Sequence, residues 1–221
     1  RNVMIDNGKL SATAKKLIAG ILDLSKGLTA FGNTIPTSYL RLVPHQEAPT
    51  NICWGDRNRS VLVRVPLGWL GASHMIHDAN PAEPSGSADR ISRQTVELRS
   101  PDGSADIYLL MAGIAVAIQH GLEMPGALEM ADRLYVDYNI FKEKAKAEAK
   151  KLESLPASCW ESAEALLKLR SHFEKDGIFP AGVIDSLAAK LMSYSDRSLS
   201  EELYGNNEAI AKLVKEYLHC G

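Results

Sequence analysis

The chain has 221 residues, of which 45% are apolar and 24% are charged, values close to the average for globular proteins. This composition excludes an intrinsically disordered, collagen-like or coiled-coil chain. Its 25 basic and 27 acidic residues give a net charge of -2, so no overall basic field is present that would hold a nucleic acid.

The cysteine content and the apolar runs of the sequence indicate the cellular compartment of the protein. The three cysteines (Cys53, Cys159 and Cys220) are an odd number without a CxxC pair, which argues against a disulfide framework or a structural zinc site. The longest apolar run, Ile107 to Ile118, is well short of the about 20 residues of a membrane span, so it predicts a buried helix and no membrane partner. The N-terminus has no apolar signal segment. We therefore expect a cytoplasmic protein.

The first half of the chain predicts one helix followed by strands and loops. Apolar residues recur at helical spacing from Ser11 to Leu28, and Ser11 is a candidate N-cap. A proline-punctuated loop follows over Asn33 to Pro49. Alternating or short apolar runs then predict three strands, at Asn51 to Trp54, Val61 to Val65 and Thr95 to Leu98.

The second half is predicted to be mostly helical. Apolar periodicity and Ser or Gly punctuation favour five helices, at 104–122, 140–155, 158–175, 181–194 and 198–218. The fold class is therefore α+β, with a strand-and-loop part over about 30–105 and a helical part over about 106–221.

Arginine is concentrated in the strand-and-loop part, whereas lysine is absent from residues 27–141. The arginines next to predicted strands or turns are Arg41, Arg57, Arg59, Arg64 and Arg99. Arginine without lysine favours bidentate recognition of carboxylate or phosphate over a solvated basic face. The alternative is a set of surface arginines without a shared purpose.

Spacing constrains which of these side chains share a face. Arg59 and Arg64 are separated by an odd number of residues, so on one strand they point to opposite faces. They converge only if Arg59 precedes the strand on a turn. Glu97 and Arg99 share a face of the third strand, which favours an ion pair over a metal ligand beside an anion clamp. Glu47 lies in a proline-bounded loop, where an isolated carboxylate is usually solvated.

Three blocks of sequence resemble the glutamine synthetase family. Ser38 to Pro49 (SYLRLVPHQEAP) resembles the SYxRLVPGYEAP segment of that family, and Arg57 to Pro66 (RNRSVLVRVP) resembles its RNRSxxxRIP. Glu97 to Ala105 (ELRSPDGSA) resembles its ExRxPDxSA and leads into an apolar helix, as in the family. Two departures stand out: His45 and Gln46 replace a Gly-Tyr pair, and the stretch between the second and third blocks is longer.

The resemblance assigns roles to the arginines. Arg41 and Arg99 would bind the substrate glutamate. Arg59 would face the phosphoryl group in transfer, as a catalytic and nucleotide-binding residue. Arg64 would bind the nucleotide phosphates. Such a set suits the chemistry, since phosphoryl transfer to a carboxylate gathers negative oxygens that cations must offset.

The resemblance also assigns two carboxylates. Glu97 would be a ligand of the Mg²⁺ or Mn²⁺ ion that accompanies ATP. Glu47 would be the catalytic flap residue that closes over the acyl phosphate and helps to deprotonate ammonium. A closing flap protects an intermediate that water would hydrolyse.

The family resemblance implies an ATP-dependent glutamate–ammonia ligase that acts through γ-glutamyl phosphate. Its partners would be glutamate, ammonium and ATP, and the full-length protein would be a ring-type homo-oligomer. Residues 1–221 would be the C-terminal portion of the catalytic domain, with short antiparallel strands and a helical C-terminal half. The upstream catalytic half and N-terminal domain would be absent, and the isolated chain inactive. The alternatives are a γ-glutamyl ligase for an organic amine, motivated by the two departures, and a non-catalytic homologue.

Overall fold

The computed structural model of the chain describes residues 3–7, 9–42, 49–66, 79–82 and 94–218. Within these residues the strands are β1 (Ile5–Asp6), β2 (Lys9–Leu10), β3 (Trp54–Asp56), β4 (Val63–Val65) and β5 (Glu97–Leu98). The longer helices are α1 (Ala12–Asp23), α2 (Ser25–Gly32), α4 (Ile107–Glu123), α7 (Cys159–Glu174), α8 (Ala181–Ser193) and α10 (Asn207–Tyr217). Short helices are α3 (Pro36–Arg41), α5 (Ala127–Arg133), α6 (Lys144–Ala149) and α9 (Leu199–Glu202).

The helix predicted over Ser11 to Leu28 is two helices, α1 and α2. Ser11 is the N-cap, as predicted: its Oγ accepts a hydrogen bond from the Ala14 N–H at 3.1 Å. The prediction of one continuous helix is wrong, because the chain bends at Leu24 and restarts at Ser25. Nearly all of α2 is buried, so the bend turns this segment from the amphipathic α1 into the protein core.

α1 and α4 touch through their backbones at two glycines. A Cβ atom on Gly20 would lie 2.0 Å from the Ala117 carbonyl oxygen, and one on Gly121 would lie 2.2 Å from the Lys16 carbonyl oxygen. Only glycine permits so close a crossing.

The apolar helix predicted over 104–122 is present as α4, with Asp106 as its N-cap. The prediction that it is buried is wrong for one face, because Ile107, Tyr108 and Met111 are exposed and only the face that packs on α1 and α2 is buried.

Aromatic packing joins α2 to the helices of the second half. The Phe31 ring lies 5.3 Å from that of Phe173 and 5.1 Å from that of Phe179, between centroids. The buried Asp196 carboxylate accepts hydrogen bonds from the Cys159 N–H (2.8 Å) and the Trp160 N–H (3.1 Å) at the start of α7. A carboxylate at this end of a helix is stabilised by the free N–H groups and the helix dipole.

The larger sheet has three strands in the order β3-β4-β5. β4 and β5 are antiparallel, with Arg64 opposite Glu97 and Val63 opposite Leu98. β3 and β4 are parallel, which differs from the antiparallel arrangement expected for all the strands. The connection over residues 57–62 makes this possible, because it crosses back to the start of the sheet and does not form a hairpin.

Other differences from the predicted elements have local causes. The loop expected over 33–49 contains α3, which begins at Pro36, where a proline favours the first turn of a helix. The helix expected over 198–218 is divided into α9 and α10 around Gly205, whose φ is +77°. Of the helix expected over 140–155, only α6 is present, and α5 was not predicted.

No single helix in the described part of the chain is long and apolar enough to cross a membrane. α4 and α5 meet the criteria of length and composition only as a pair, and that pair is bent by 108°.

We predict that Gly121→Ala lowers the free energy of unfolding by about 1–3 kcal/mol or more, because the new methyl group meets the α1 backbone. The measurement is urea unfolding followed by circular dichroism. Gly182→Ala in α8 is the matched control, since no atom lies within 4 Å of the added Cβ. Equal stability of the two variants would contradict the crossing described here.

Candidate functional site

An ion-paired carboxylate lies at the exposed end of the sheet. The register of β4 and β5 sets Arg64 opposite Glu97, and Arg64 Nη2 donates to Glu97 Oε2. The other carboxylate oxygen of Glu97 lies 3.5 Å from Arg99 Nε. The ion pair favoured by the spacing of Glu97 and Arg99 is therefore present, and a second guanidinium joins it from the neighbouring strand.

Arg99 is held between the sheet and the turn before β4. Its Nη1 donates to the Arg59 carbonyl oxygen and, at 3.3 Å, to the Val61 carbonyl oxygen. Its side chain is only 17% exposed. Burial lowers the pKa of Arg99, Glu97 raises it, and the guanidiniums of Arg64, Arg41 and Arg59 lower it further. Arg64, Arg41 and Arg59 therefore all lie within electrostatic range of Arg99, which itself contacts Glu97.

Arg59 lies on a turn and not on β4, which is the geometry in which it converges with Arg64. Asn58 Oδ1 accepts from the Ser60 N–H (2.9 Å) and the Ser60 hydroxyl (2.7 Å), forming an Asx turn around Arg59. The Asn58 amide also donates to the carbonyl oxygens of Val136 (3.3 Å) and Tyr138 (2.8 Å). The backbone of Arg59 is thereby fixed, while its side chain is exposed and has no hydrogen-bond partner among the described residues.

Arg41 approaches the cluster from the end of α3. Its Nη2 donates to the carbonyl oxygens of Ser100 and, at 3.3 Å, Pro101, the two residues that follow Arg99. Its Nε is buried without a hydrogen-bond partner in the described part of the chain, and so is the Nε of Arg64. Arg57 lies apart from the cluster, with its Nε 3.5 Å from the carboxylate of Asp56.

A polar network fixes the loop 100–106, between β5 and α4. Asp102 Oδ1 accepts from the N–H (2.9 Å) and hydroxyl (2.7 Å) of Ser104, and Asp102 Oδ2 accepts from the Asn33 amide at 3.3 Å. The same Asn33 amide donates to the Ser100 carbonyl oxygen at 2.8 Å, and Ser38 Oγ lies 3.1 Å from Ser104 Oγ. This network positions the carbonyl groups that hold Arg41.

Sequence reasoning did not assign positioning roles to Asn33, Asn58, Asp102 and Ser104. A signal was present, because Asn58-Arg59-Ser60 and Asp102-Gly103-Ser104 both follow the Asx-turn pattern, with a Ser two residues after Asn or Asp. Arg41, Arg59, Arg64 and Glu97 all interact electrostatically with Arg99, while the roles that the resemblance implies for these five residues stay predictions. Glu47 lies outside the described residues.

The charge balance of this arginine cluster (Arg41, Arg59, Arg64 and Arg99, with Glu97) favours anions. Arg64 and Arg99 contact the Glu97 carboxylate, Arg41 and Arg59 lie within electrostatic range of Arg99, and buried or half-buried cations are screened less by water than exposed ones. Guanidinium groups bind carboxylate and phosphate oxygens in paired hydrogen bonds. The cluster is therefore suited to a small ligand that carries several negative oxygens.

The residues present do not by themselves fit a divalent metal ion. Both Glu97 oxygens face guanidiniums, and no group of three His, Cys, Asp or Glu residues with metal-binding geometry occurs among the described residues. Mg²⁺ and similar ions take about six ligands, mostly oxygens. A metal at Glu97 would need most of its ligands from outside this set.

A cavity of about 580 Å³ lies beside α7, and the arginine cluster is not part of its lining. The lining includes Lys26, Lys150 and Lys168. Its cations are partly compensated, because Lys26 pairs with Glu153 at 2.6 Å.

The sequence comparisons point to one family. A family model described as glutamine synthetase, catalytic domain, matches residues 1–190. Glutamine synthetase of Thermococcus kodakarensis is 38% identical over 168 residues, which are 76% of this chain and 32% of that relative. Glutamine synthetase of Thermus thermophilus is 34% identical over 161 residues, 72% of this chain and 30% of that relative. The chain spans about a third of the length of these curated relatives.

Solved structures share the fold. A structure described as the GmaS/ADP complex has a TM-score of 0.57 at 25% identity, over 91% of this chain and 40% of that chain. The cryo-EM structure of Plasmodium falciparum glutamine synthetase has a TM-score of 0.57 at 19% identity, over 85% of this chain and 39% of that chain. A crystal structure of a novel glutamine synthase homolog has a TM-score of 0.59 at 20% identity, over 91% of this chain and 41% of that chain. The predicted α+β class is confirmed.

We predict that Asp102→Ala loosens the loop that carries the Arg41 acceptors. It removes the acceptors for Asn33 and Ser104, which leaves a buried amide donor with fewer partners and costs about 1–3 kcal/mol of stability. Hydrogen exchange by mass spectrometry should show faster exchange at Thr34 and Ser104. The control is Asp137→Ala, an exposed carboxylate, and equal exchange in both variants would show that the network does not hold the loop.

Proposed function

The chain belongs to the glutamine synthetase family, and we propose that it forms part of the catalytic unit of an ATP-dependent glutamate–ammonia ligase that acts through γ-glutamyl phosphate. The observation that carries this proposal is the contact of Arg64 and Arg99 with Glu97, beside Arg41, which donates to the loop after Arg99, and Arg59, whose carbonyl oxygen accepts from Arg99. The family membership supports a ligase, and the arginine cluster supports a reaction among anionic substrates.

In this proposal different arginines bind the oxygens of glutamate, of the nucleotide and of the transferred phosphoryl group. Arg41 and Arg99, both tethered to backbone carbonyl groups, bind glutamate in a fixed position. Arg64, on the sheet, binds the nucleotide phosphates. Arg59 faces the phosphoryl group in transfer, since its guanidinium is exposed on a fixed turn without a partner among the described residues. Each cation offsets repulsion that grows as the carboxylate attacks the phosphorus.

The carboxylates have separate proposed roles. Glu97 would supply one oxygen ligand to Mg²⁺ or Mn²⁺, and the remaining ligands would have to come from outside the described residues. A bound metal of this kind neutralises phosphate charge. Glu47 closes the site against water and accepts a proton from ammonium.

The proposed partners are glutamate, ammonium and ATP. The full-length protein is proposed to be a ring-type homo-oligomer. One structural neighbour, at 25% identity, is an ADP complex, which supports a nucleotide as ligand. Residues 1–221 are proposed as the C-terminal portion of the catalytic domain, and they span about a third of the length of their relatives.

The proposed compartment is the cytoplasm. The free thiols of Cys53 and Cys159 are buried, which suits a reducing compartment, and burial raises the pKa of Cys53 to about 12.

A second candidate is a γ-glutamyl ligase whose amine is organic. His45 and Gln46 replace the family's Gly-Tyr next to Glu47, the residue proposed to meet the amine. A change of side chains beside that position alters the space and polarity that select the amine.

We predict that the isolated chain binds tripolyphosphate at low ionic strength and that Arg59→Gln weakens this binding about tenfold. Loss of one charge-assisted contact has about that effect. Isothermal titration calorimetry measures it. Arg197→Gln is the control, because Arg197 is an exposed arginine that pairs with Glu164 at 2.6 Å in another part of the protein. The same loss in both variants, or no binding by the wild type, would contradict a phosphate-binding cluster.

The ligase proposal itself is tested in a chimera in which this chain replaces the matched 168 residues of the Thermococcus kodakarensis relative. We expect glutamate- and ammonium-dependent ADP release from the chimera, none from the isolated chain, and at least a hundredfold lower kcat for Arg59→Gln. Arg170→Gln in α7 is the control, since its partners are Glu174 and Asp185. Faster turnover with methylamine or ethylamine than with ammonium would select the second candidate. A folded chimera without activity toward any amine would refute both.

A further inference from the structure

The cavity beside α7 has an apolar side. Its volume of about 580 Å³ lies within the range of roughly 300–1,000 Å³ that is usual for small-molecule sites. Three of its lining residues, Leu22, Ile52 and Leu155, are buried. The rest of its apolar lining includes the partly buried Met130, Leu134 and Leu169. A ligand with an apolar body is stabilised against such a surface, because both lose contact with water.

The charged part of the lining is rich in cations. These cations are Lys26 of α2, Arg133 of α5, Lys150 and Lys151 at the end of α6, and Lys168 of α7. Arg133, Lys151 and Lys168 are exposed, so they lie at the opening of the cavity. Lys150 is half-buried and donates to the Tyr135 carbonyl oxygen. The cavity therefore combines an apolar interior with a cationic opening.

The carboxylates of the lining do not neutralise these cations, because each carboxylate already has a partner. The contacts are Asp23 with His120 Nε2 (2.8 Å), Glu153 with Lys26 (2.6 Å), Glu161 with the Ala157 N–H (2.8 Å) and Glu164 with Arg197 (2.6 Å). Of these partners, only Lys26 belongs to the cations of the cavity. Arg133, Lys151 and Lys168 form no ion pair with any of the described residues. Three cations at the opening are therefore available to an anion.

The backbone of Lys151 is unusual for a lysine. Its φ is +48°, in the left-handed region that favours glycine. Lys151 comes directly after Lys150, the C-cap of α6, which is where a helix commonly ends with glycine or asparagine. Strained conformations of this kind are concentrated at binding and catalytic sites. The conformation is therefore an observation, separate from the charge count, that favours a binding role for this end of the cavity.

We propose that this cavity binds a small organic phosphate, namely a phosphate monoester with an apolar body. The apolar body lies against Leu22, Ile52 and Leu155. The phosphate lies among Arg133, Lys151 and Lys168 at the opening. A phosphate monoester suits three available cations better than a carboxylate does, because it carries a charge of about −1.5 to −2 and three terminal oxygens that accept hydrogen bonds.

This site is additional to the arginine cluster. No residue of that cluster lines the cavity, and the proposal does not depend on the ligase activity. Failure of the ligase proposal would therefore leave the cavity proposal standing, and the reverse also holds.

The test is isothermal titration calorimetry of the whole chain at neutral pH with naphthyl phosphate, inorganic phosphate and naphthol. We expect naphthyl phosphate to bind at least about tenfold more tightly than either fragment, because only it contacts both the apolar lining and the cations. Equal affinity for inorganic phosphate would show that the apolar lining is not used and would overturn the proposal. Equal affinity for naphthoate would overturn the assignment to a phosphate.

Two substitutions at the opening locate the bound phosphate. Arg133→Gln and Lys168→Gln should each weaken the binding of naphthyl phosphate about tenfold, since each removes one charge-assisted contact. Lys190→Gln is the matched control, because Lys190 is an exposed lysine of α8 that does not line the cavity. An equal loss in the control, or binding that Arg59→Gln weakens and Lys168→Gln does not, would place the anion elsewhere and overturn the proposal.

A third substitution tests the apolar side without changing the charge. Ala165 lines the cavity from α7 and is only partly buried, so Ala165→Leu fills space inside the cavity. We expect this variant to lose the binding of naphthyl phosphate by at least about tenfold and to keep the circular dichroism spectrum of the wild type. Unchanged affinity in the folded variant would show that the ligand does not enter the cavity.

Discussion

The pairing of β4 with β5 determines the geometry of the candidate site. Side chains alternate across a strand, so a register that sets Arg64 opposite Glu97 also places Arg99 on the same face as Glu97. A slip of one residue would move Arg64 to the other face and leave Glu97 beside a single guanidinium. The neighbouring pair, Val63 and Leu98, protects this register, because a slip would also expose the fully buried Val63.

The loop 100–106 connects the β4–β5 pair to the helical layer. Its network runs from Asp102 to Asn33, at the end of the buried α2, so the position of Arg41 depends on the packing of α2 against α4. Gly32 contributes as well, since a Cβ there would lie 3.1 Å from the Pro101 side chain. The glycine contacts between α1 and α4 therefore act on the site indirectly, by fixing the layer to which the loop is attached.

Periodicity and caps predicted α4, α7 and α8 with nearly the observed bounds, and they failed for the other predicted helices, which are divided or shorter. Ser11, Ser158 and the apolar run of α4 carry local signals that the structure follows. The bend at Leu24 has no such signal, because it arises from the burial of α2 against distant aromatic rings. The parallel pairing of β3 with β4 was also beyond local patterns, since it depends on the path of residues 57–62 and not on side-chain alternation.

The residues of the candidate site could be predicted from the sequence, whereas the contacts that hold them in place could not. Arginine without lysine pointed to anion recognition, and the three sequence blocks named the residues that the structure brings together. Spacing alone did not decide whether the side chains of Arg59 and Arg64 converge. The Asx turn at Asn58 places Arg59 on a turn before β4, which permits them to converge. The acceptors of Arg41 and Arg99 are backbone carbonyl groups, which every residue possesses, so no side-chain pattern could identify them.

The excess of positive charge in the arginine cluster has a physical consequence. Like charges held together repel, and they remain together here because backbone carbonyl groups hold the guanidiniums of Arg41 and Arg99 and the Glu97 carboxylate holds that of Arg64. Such an arrangement is costly unless anions arrive to compensate it. In the proposed reaction, the phosphate and carboxylate oxygens of the substrates would supply that compensation, so the excess of guanidinium groups favours the binding of anions.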